Sequence, residues 1–155
     1  YVSVSLLHTK QTTPIIKRSL NPVFPAKEAT FEFPIYLSVV ERLLGGVGVV
    51  ELVVWDKDMF SRDYLGEVGV GVERWFKRSE EAFGWDEPGN KPFVLSLEST
   101  RANTAATGTI KIKMGFVHPP GGTSLLDFNE IYRMLVRRSR GVGLSVVSAP
   151  PVSFY

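Results

Sequence analysis

The sequence predicts an all-β chain folded as an antiparallel β-sandwich. Three observations carry this: seven short runs with strand-like alternation or β-branched content, turn residues between them, and no long helical period before Pro120. Tyr1 to Leu7 alternates Val2, Val4 and Leu6 against Tyr1, Ser3 and Ser5, the period-two pattern of a half-buried strand. Thr12 to Arg18 is expected to be a second run, at an edge or a bulge because of Pro14, and Ser19 to Pro25 is a turn built on Asn21-Pro22. Ala29 to Tyr36 places Phe31, Phe33 and Ile35 on one face. Val47 to Trp55 is a β-branched run that stops at Asp56 and reads as a central strand. Tyr64 to Val72 carries glycines at 66, 69 and 71, which permit bulges or close backbone approach. Phe93 to Leu97 and Thr109 to Val117 complete the seven.

Two stretches fall outside this pattern. Residues 73–92 hold Trp75, Phe76, Phe83 and Trp85 among charges, and are expected to be an ordered insertion with aromatic anchors. After Pro119-Pro120-Gly121-Gly122, Leu125, Phe128, Ile131, Tyr132 and Leu135 recur at helical spacing behind Ser124 as a cap, so an amphipathic helix is expected over 125–139. The organisation expected is a sandwich over 1–118 and a linker, basic helix and tail over 119–155.

The 155 residues suffice for one core and little more. No apolar run approaches the ~20 residues of a membrane-spanning helix, so any membrane contact is expected to be peripheral. With no cysteine, disulfides, thiolate metal sites and thiol nucleophiles are excluded, which fits a cytoplasmic setting. The net charge of +2 is unevenly placed: residues 1–22 carry Lys10, Lys17 and Arg18 without an acid, and residues 131–155 carry four arginines without one. Both stretches favour anionic surfaces. The chain opens directly on a strand at Tyr1, and an upstream part is expected.

The segment Trp55-Asp56-Lys57-Asp58-Met59-Phe60-Ser61-Arg62-Asp63 concentrates the chemistry. Residues two apart share a face at a strand end, so Asp56 and Asp58 aim at one point, and the loop is expected to fold Asp63 toward them. Hard oxygen donors of this kind suit calcium. The same acids, interleaved with Lys57 and Arg62, also fit an ordinary solvated turn. An EF-hand is excluded because Phe60 and Ser61 take the places of its fifth ligand and turn glycine.

With these residues in place, the chain resembles the C2 domains, calcium-dependent or calcium-independent phospholipid-binding sandwiches. Tyr1-Val-Ser-Val-Ser-Leu-Leu7 is similar to the strand after the family's first loop. Lys17-Arg-Ser-Leu-Asn-Pro-Val-Phe24 resembles its Asn-Pro turn, Ala29-Thr-Phe-Glu-Phe33 its next strand, and Trp55-Asp-Lys-Asp58 with Asp63-Tyr-Leu-Gly-Glu67 its third calcium-binding loop. The likeness covers about residues 1–117 and implies an eight-stranded sandwich whose first strand and first calcium-binding loop are not in this sequence. It implies calcium as cofactor, with Asp56, Asp58 and Asp63 as carboxylate ligands and the Lys57 carbonyl as a backbone ligand. It also implies that Met59 and Phe60, at the loop tip, dip into a bilayer.

One calcium ion would turn the net −1 of residues 56–63 into +1 and attract anionic lipid. Lys10, Lys17 and Arg18, joined by Lys111 and Lys113, are expected to form a basic face for lipid headgroups. Arg133, Arg137, Arg138 and Arg140 make the C-terminal helix a further surface for a membrane or a protein partner. No catalytic constellation is present: His8 and His118 stand apart, and neither a nucleophile elbow nor a phosphate-binding loop occurs. Aromatic residues are not interleaved with basic ones, so nucleic acid is not expected as a partner. The function expected is a non-catalytic, peripheral membrane module that targets a larger protein to anionic phospholipid. The alternatives are a protein-interaction scaffold and the regulatory arm of a lipid-modifying enzyme.

Overall fold

The computed structural model describes residues 1–34, 49–71 and 84–117. Every regular element among them is a strand, and every strand pairing is antiparallel. β1 (Val2–Leu6), β2 (Thr9–Thr12), β3 (Val49–Lys57) and β4 (Arg62–Gly71) form a sheet in the order β2-β1-β3-β4, and β5 (Phe93–Ser96) pairs with β6 (Thr109–Ile112). No helix among the described residues is long and apolar enough to cross a membrane.

The strand alternation of the sequence becomes rows across the sheet. Leu6, Val50 and Val70 are in register, as are Val4, Leu52 and Val68, and all six are buried. Each such side chain contributes about 1.5 to 3 kcal/mol when fully withdrawn from water. Ile110 and Ile112 of β6 and Leu95 of β5 pack against this cluster together with buried Leu97, so the two sheets close on one core as a β-sandwich. The third row, Val2 and Val54, ends at Gly66 rather than at a side chain. The register shifts between Val54 and Trp55, so Trp55 pairs with Tyr64 and leaves Leu65 as the extra residue of a bulge. Gly66 has φ +148°, and its bare backbone lets Leu97 and Ala106 close that end of the core.

The structure moves several expected boundaries. The second strand is Thr9–Thr12, not Thr12 to Arg18: Leu7, at φ 54°, and His8 turn the chain after β1, and Pro14, with no N–H to give a ladder, lies beyond the strand's end. Residues 29–34 are not a strand. Phe31 and Phe33 do pack on the core as the alternation required, but the Glu32 carbonyl accepts its hydrogen bond from the Gln11 side chain instead of from a neighbouring strand. The last two strands stop at Ser96 and Ile112, short of Leu97 and Val117. Among the described residues six strands are present, five of them at expected places, with Thr9–Thr12 taking the place of the expected 12–18 strand. Residues 35–48, 72–83 and 118–155 lie outside them, including most of the expected insertion, the C-terminal helix and the tail.

The end of the insertion that is described is anchored. Asn90 is buried and donates to the Gly84 and Met114 carbonyls, and the Trp85 N–H donates to the Phe116 carbonyl. Lys113 lies over the Trp85 ring at 4.5 Å.

Candidate functional site at the hairpin end of the sandwich

Strand directions gather three loops at one end. The β3–β4 hairpin turns through residues 58–61, closed by the Asp58 N–H donating to the Ser61 carbonyl at 3.0 Å. β1 is antiparallel to β3 and β2 to β1, so the chain leaves β2 at this same end. Thr13 marks the exit: its N–H donates to the Val2 carbonyl, and its hydroxyl oxygen accepts from the Val2 N–H. The excursion through residues 14–31 returns where Glu32 meets Gln11. The third loop, between β5 and β6, is closed by the Leu97 N–H donating to the Gly108 carbonyl, and Glu98 bonds Glu67 of β4 in both directions at 2.8 Å.

Alternation sorts charge at the hairpin. Trp55 and Tyr64 are one register pair, Asp56 and Asp63 the next, and Lys57 and Arg62 the last before the turn. Lys57 and Arg62 therefore share the face of Trp55 and Tyr64, and the two aspartates take the opposite face. The two rings meet edge to face at 5.8 Å. The Arg62 guanidinium lies over Trp55 at 4.3 Å, and Arg101, from the third loop, lies over Tyr64 at 4.2 Å and Trp55 at 5.1 Å. Each such contact is worth about 0.5 to 1 kcal/mol at an exposed site. Stacking uses the flat faces of a guanidinium and leaves its edge N–H donors for hydrogen bonds, one of which Arg62 gives to the Tyr1 hydroxyl. Tyr64 also fastens the third loop, donating its hydroxyl hydrogen to the Glu98 carbonyl and accepting from the Thr100 N–H.

Beyond these pairs, Met59 and Phe60 form the apex, 91% and 95% exposed. Neither folds back on the core. Further from the apex, a cleft of about 300 Å³ lies between the sheet and the third loop, lined by Glu51, Val53, Trp55, Glu67, Thr100 and Arg101. Burial raises the Glu51 pKa above the usual carboxylate range, and the neighbouring charge of Glu67 adds to the rise. Glu67 itself is buried and accepts a hydrogen bond from the Thr100 hydroxyl.

The expected calcium donors are of the right chemical kind, three carboxylates and a backbone carbonyl. Their gathering is incomplete: Asp56 and Asp63 oppose each other across the hairpin, Asp58 opens the turn, and among the described residues no three carboxylate or imidazole side chains stand close enough to hold a metal ion. The hairpin alone does not make a calcium cage.

The expected basic face is likewise not one surface. Lys10 pairs with Ser5 and projects from the outer face of the four-stranded sheet, whereas Lys111 pairs with Val94 on the outer face of the β5–β6 sheet, with the core between them. Lys113, just past β6, is half-buried against Trp85. Lys17 and Arg18 are exposed in the loop that follows β2. The cations that the fold brings to the hairpin are Lys57, Arg62 and Arg101. The sequence reading passed over Arg62 and Arg101 because stacking partners from separate loops leave no spacing to detect. The Trp55 and Tyr64 platform was visible only as part of a motif.

These features can be set beside known proteins. Synaptotagmin-like protein 2 from Mus musculus is 27% identical over 130 residues, which cover 79% of this chain and 12% of that protein. The chain thus spans about an eighth of the length of the curated relative it matches. No solved structure matches it. The C2 domain profile matches residues 1–87, more than half of the chain and every residue of the hairpin. An antiparallel sandwich with that match belongs to the C2 domain family.

Proposed function

We propose that this chain is a membrane-targeting module that docks on anionic phospholipid by the β3–β4 hairpin and carries a larger protein to the bilayer from the cytoplasmic side. The observation that supports this best is the apex: two large apolar side chains, Met59 and Phe60, stand almost wholly in water at the point furthest along the hairpin. Burying both in hydrocarbon is worth at most ~3 to 6 kcal/mol before ordering costs. Behind them stand Lys57 and Arg62, with Arg101 stacked alongside, at the depth where headgroup phosphates would lie. Juxtamembrane cations contribute about 1 kcal/mol each near an anionic surface. Asp56 and Asp63 occupy the other face of the hairpin, but Asp58 opens the turn beside the apex and leaves residues 56–63 at net −1, so Arg101 and the exposed Lys17 and Arg18 at the same end supply the balance of positive charge.

In this reading, calcium is not required for the chain to dock. The attraction comes from the apolar apex and the cations beside it. Family membership describes a module that is generally non-catalytic, and the role here is recruitment.

The direct experiment is cosedimentation with vesicles of phosphatidylserine and phosphatidylcholine, and with phosphatidylcholine alone, each with calcium and with a chelator. Binding to the anionic vesicles in both conditions is expected. Failure to bind either lipid in either condition would favour a protein-interaction scaffold instead.

A further inference from the structure

The cleft between the four-stranded sheet and the third loop is chemically unbalanced. Glu51, Val53 and Trp55 alternate along β3 onto the outer face of the sheet, and Glu67 is the register partner of Val53. Both carboxylates therefore stand on that face, beside an aromatic ring and an apolar floor. Thr100 and Arg101 close the cleft from the loop. Glu67 is only 7% exposed, and among the described residues the Thr100 hydroxyl is the one side chain that donates to it. No side-chain oxygen among those residues is both sealed from solvent and without a partner, so the second Glu67 carboxylate oxygen opens to the cleft.

Arg101 does not supply the counter-charge. Its guanidinium lies over Tyr64 and Trp55, and among the described residues no ion pair joins a cation to Glu51 or Glu67. Two carboxylates thus line one cavity of about 300 Å³ without a cation between them. The burial and mutual repulsion that raise the Glu51 pKa are what a bound cation would relieve. An organic cation with an apolar stem fits: its methylene groups lie along Val53 and Trp55 while its head meets the carboxylates. Arg62 and Arg101 already lie over the rings on which a guanidinium would stack, which favours the compact ammonium of a lysine.

Distance from the apex decides where that lysine comes from. At about 3.3 Å per strand residue, Glu51 lies ~20 Å along β3 from Lys57. A headgroup layer is only about 5 to 8 Å deep, so with the apex in the bilayer the cleft stands clear of the lipid amines.

We propose that this cleft binds a lysine side chain of a protein partner, its ammonium held between Glu51 and Glu67. The module then engages a protein on its sheet face while the hairpin stays free for the bilayer.

The test is an NMR titration of the isotope-labelled chain with the blocked peptide Gly-Gly-Lys-Gly-Gly, with the same peptide carrying norleucine or arginine instead, and with phosphoethanolamine as the amine of a lipid headgroup. Saturable shifts of the Val53, Glu67 and Thr100 amides are expected with the lysine peptide, with affinity about tenfold or more weaker for norleucine. Glu51→Gln should weaken the lysine peptide by about fivefold or more, and Glu67→Gln, which keeps an acceptor for Thr100, should act in the same direction. Absence of these shifts, or equal binding of the norleucine peptide, would overturn the proposal. So would an affinity untouched by both carboxylate substitutions. An arginine peptide that binds as tightly would overturn the choice of lysine, and a response to phosphoethanolamine without one to the lysine peptide would replace the protein partner by a lipid headgroup. No vesicle enters the experiment, so the membrane reading stands or falls separately.

Discussion

Replacing Gly66 by alanine should destabilise the domain through two separable effects. At φ +148° an L side chain is strained, a cost of order 1 to 3 kcal/mol. The new methyl would also stand 2.8 Å from the Ala106 Cβ, 3.1 Å from the Leu97 Cβ and 3.3 Å from the Glu98 carbonyl oxygen. None of these is the free end of a flexible side chain, so the loop must shift, at about 1 kcal/mol or more. Together the loss is about 2 to 4 kcal/mol, or roughly 5 to 15 °C in melting temperature for a domain of this size. Thermal melts and urea titrations of wild type, Gly66→Ala, Ala106→Gly and the double variant measure it. Ala106→Gly in the Gly66→Ala background should recover part of the loss, because it removes the closest contact and leaves the backbone strain. A Gly66→Ala protein with the wild-type midpoint would refute both the strained bulge and the packing of the third loop against it.

Three further outcomes follow from single groups. Asn90→Ala removes both hydrogen bonds to the Gly84 and Met114 carbonyls in a buried setting, and should cost about 2 kcal/mol or more in urea unfolding. Because the Glu51 pKa is raised in the folded state, the protonated form favours folding below the unfolded value near ~4.3, and that stability is lost as pH rises through the folded value. Glu51→Gln should therefore raise the melting temperature at pH 7, with the gain disappearing at about pH 4; the opposite trend would contradict the burial of this carboxylate. Lys17→Glu with Arg18→Glu should weaken binding to anionic vesicles, whereas Lys111→Glu, on the outer face of the β5–β6 sheet, should leave it nearly unchanged; equal losses would restore a single basic face.

Much of the sheet was legible in the sequence because period-two alternation survives folding almost unaltered. Val2, Val4 and Leu6 reach the core as read, and the β-branched run read as a central strand is one, with Val50 and Leu52 inward. Boundaries failed where the deciding feature was not hydrophobicity. Leu7 adopts a left-handed turn conformation that nothing about leucine announces, which displaced the second strand by three residues at its start. Phe31 and Phe33 point inward without being in a strand, so alternation alone could not tell a ladder from a segment tied by one side-chain hydrogen bond. At the site, the hairpin itself was readable, but the strands run past Trp55 to Lys57 and start again at Arg62, so Asp56 and Asp63 are a register pair in the ladder instead of loop residues, and only residues 58–61 make the turn. Adjacency across loops was not readable. The stacking of Arg101 on Trp55 and Tyr64 depends on the closure of the third loop over the Gly66 bulge, and the separation of Lys10 from Lys111 depends on which sheet each strand joins.

The most direct measurement of the central claim is a titration of Phe60→Asp against vesicles of phosphatidylserine and phosphatidylcholine, beside wild type. Phe60 is 95% exposed, so the fold does not depend on it, and the two proteins should melt at the same temperature. Removing the inserted ring and adding a carboxylate near an anionic surface should cost about 2 to 4 kcal/mol, a loss of roughly thirtyfold or more in affinity. Wild-type affinity in Phe60→Asp would contradict docking by the hairpin.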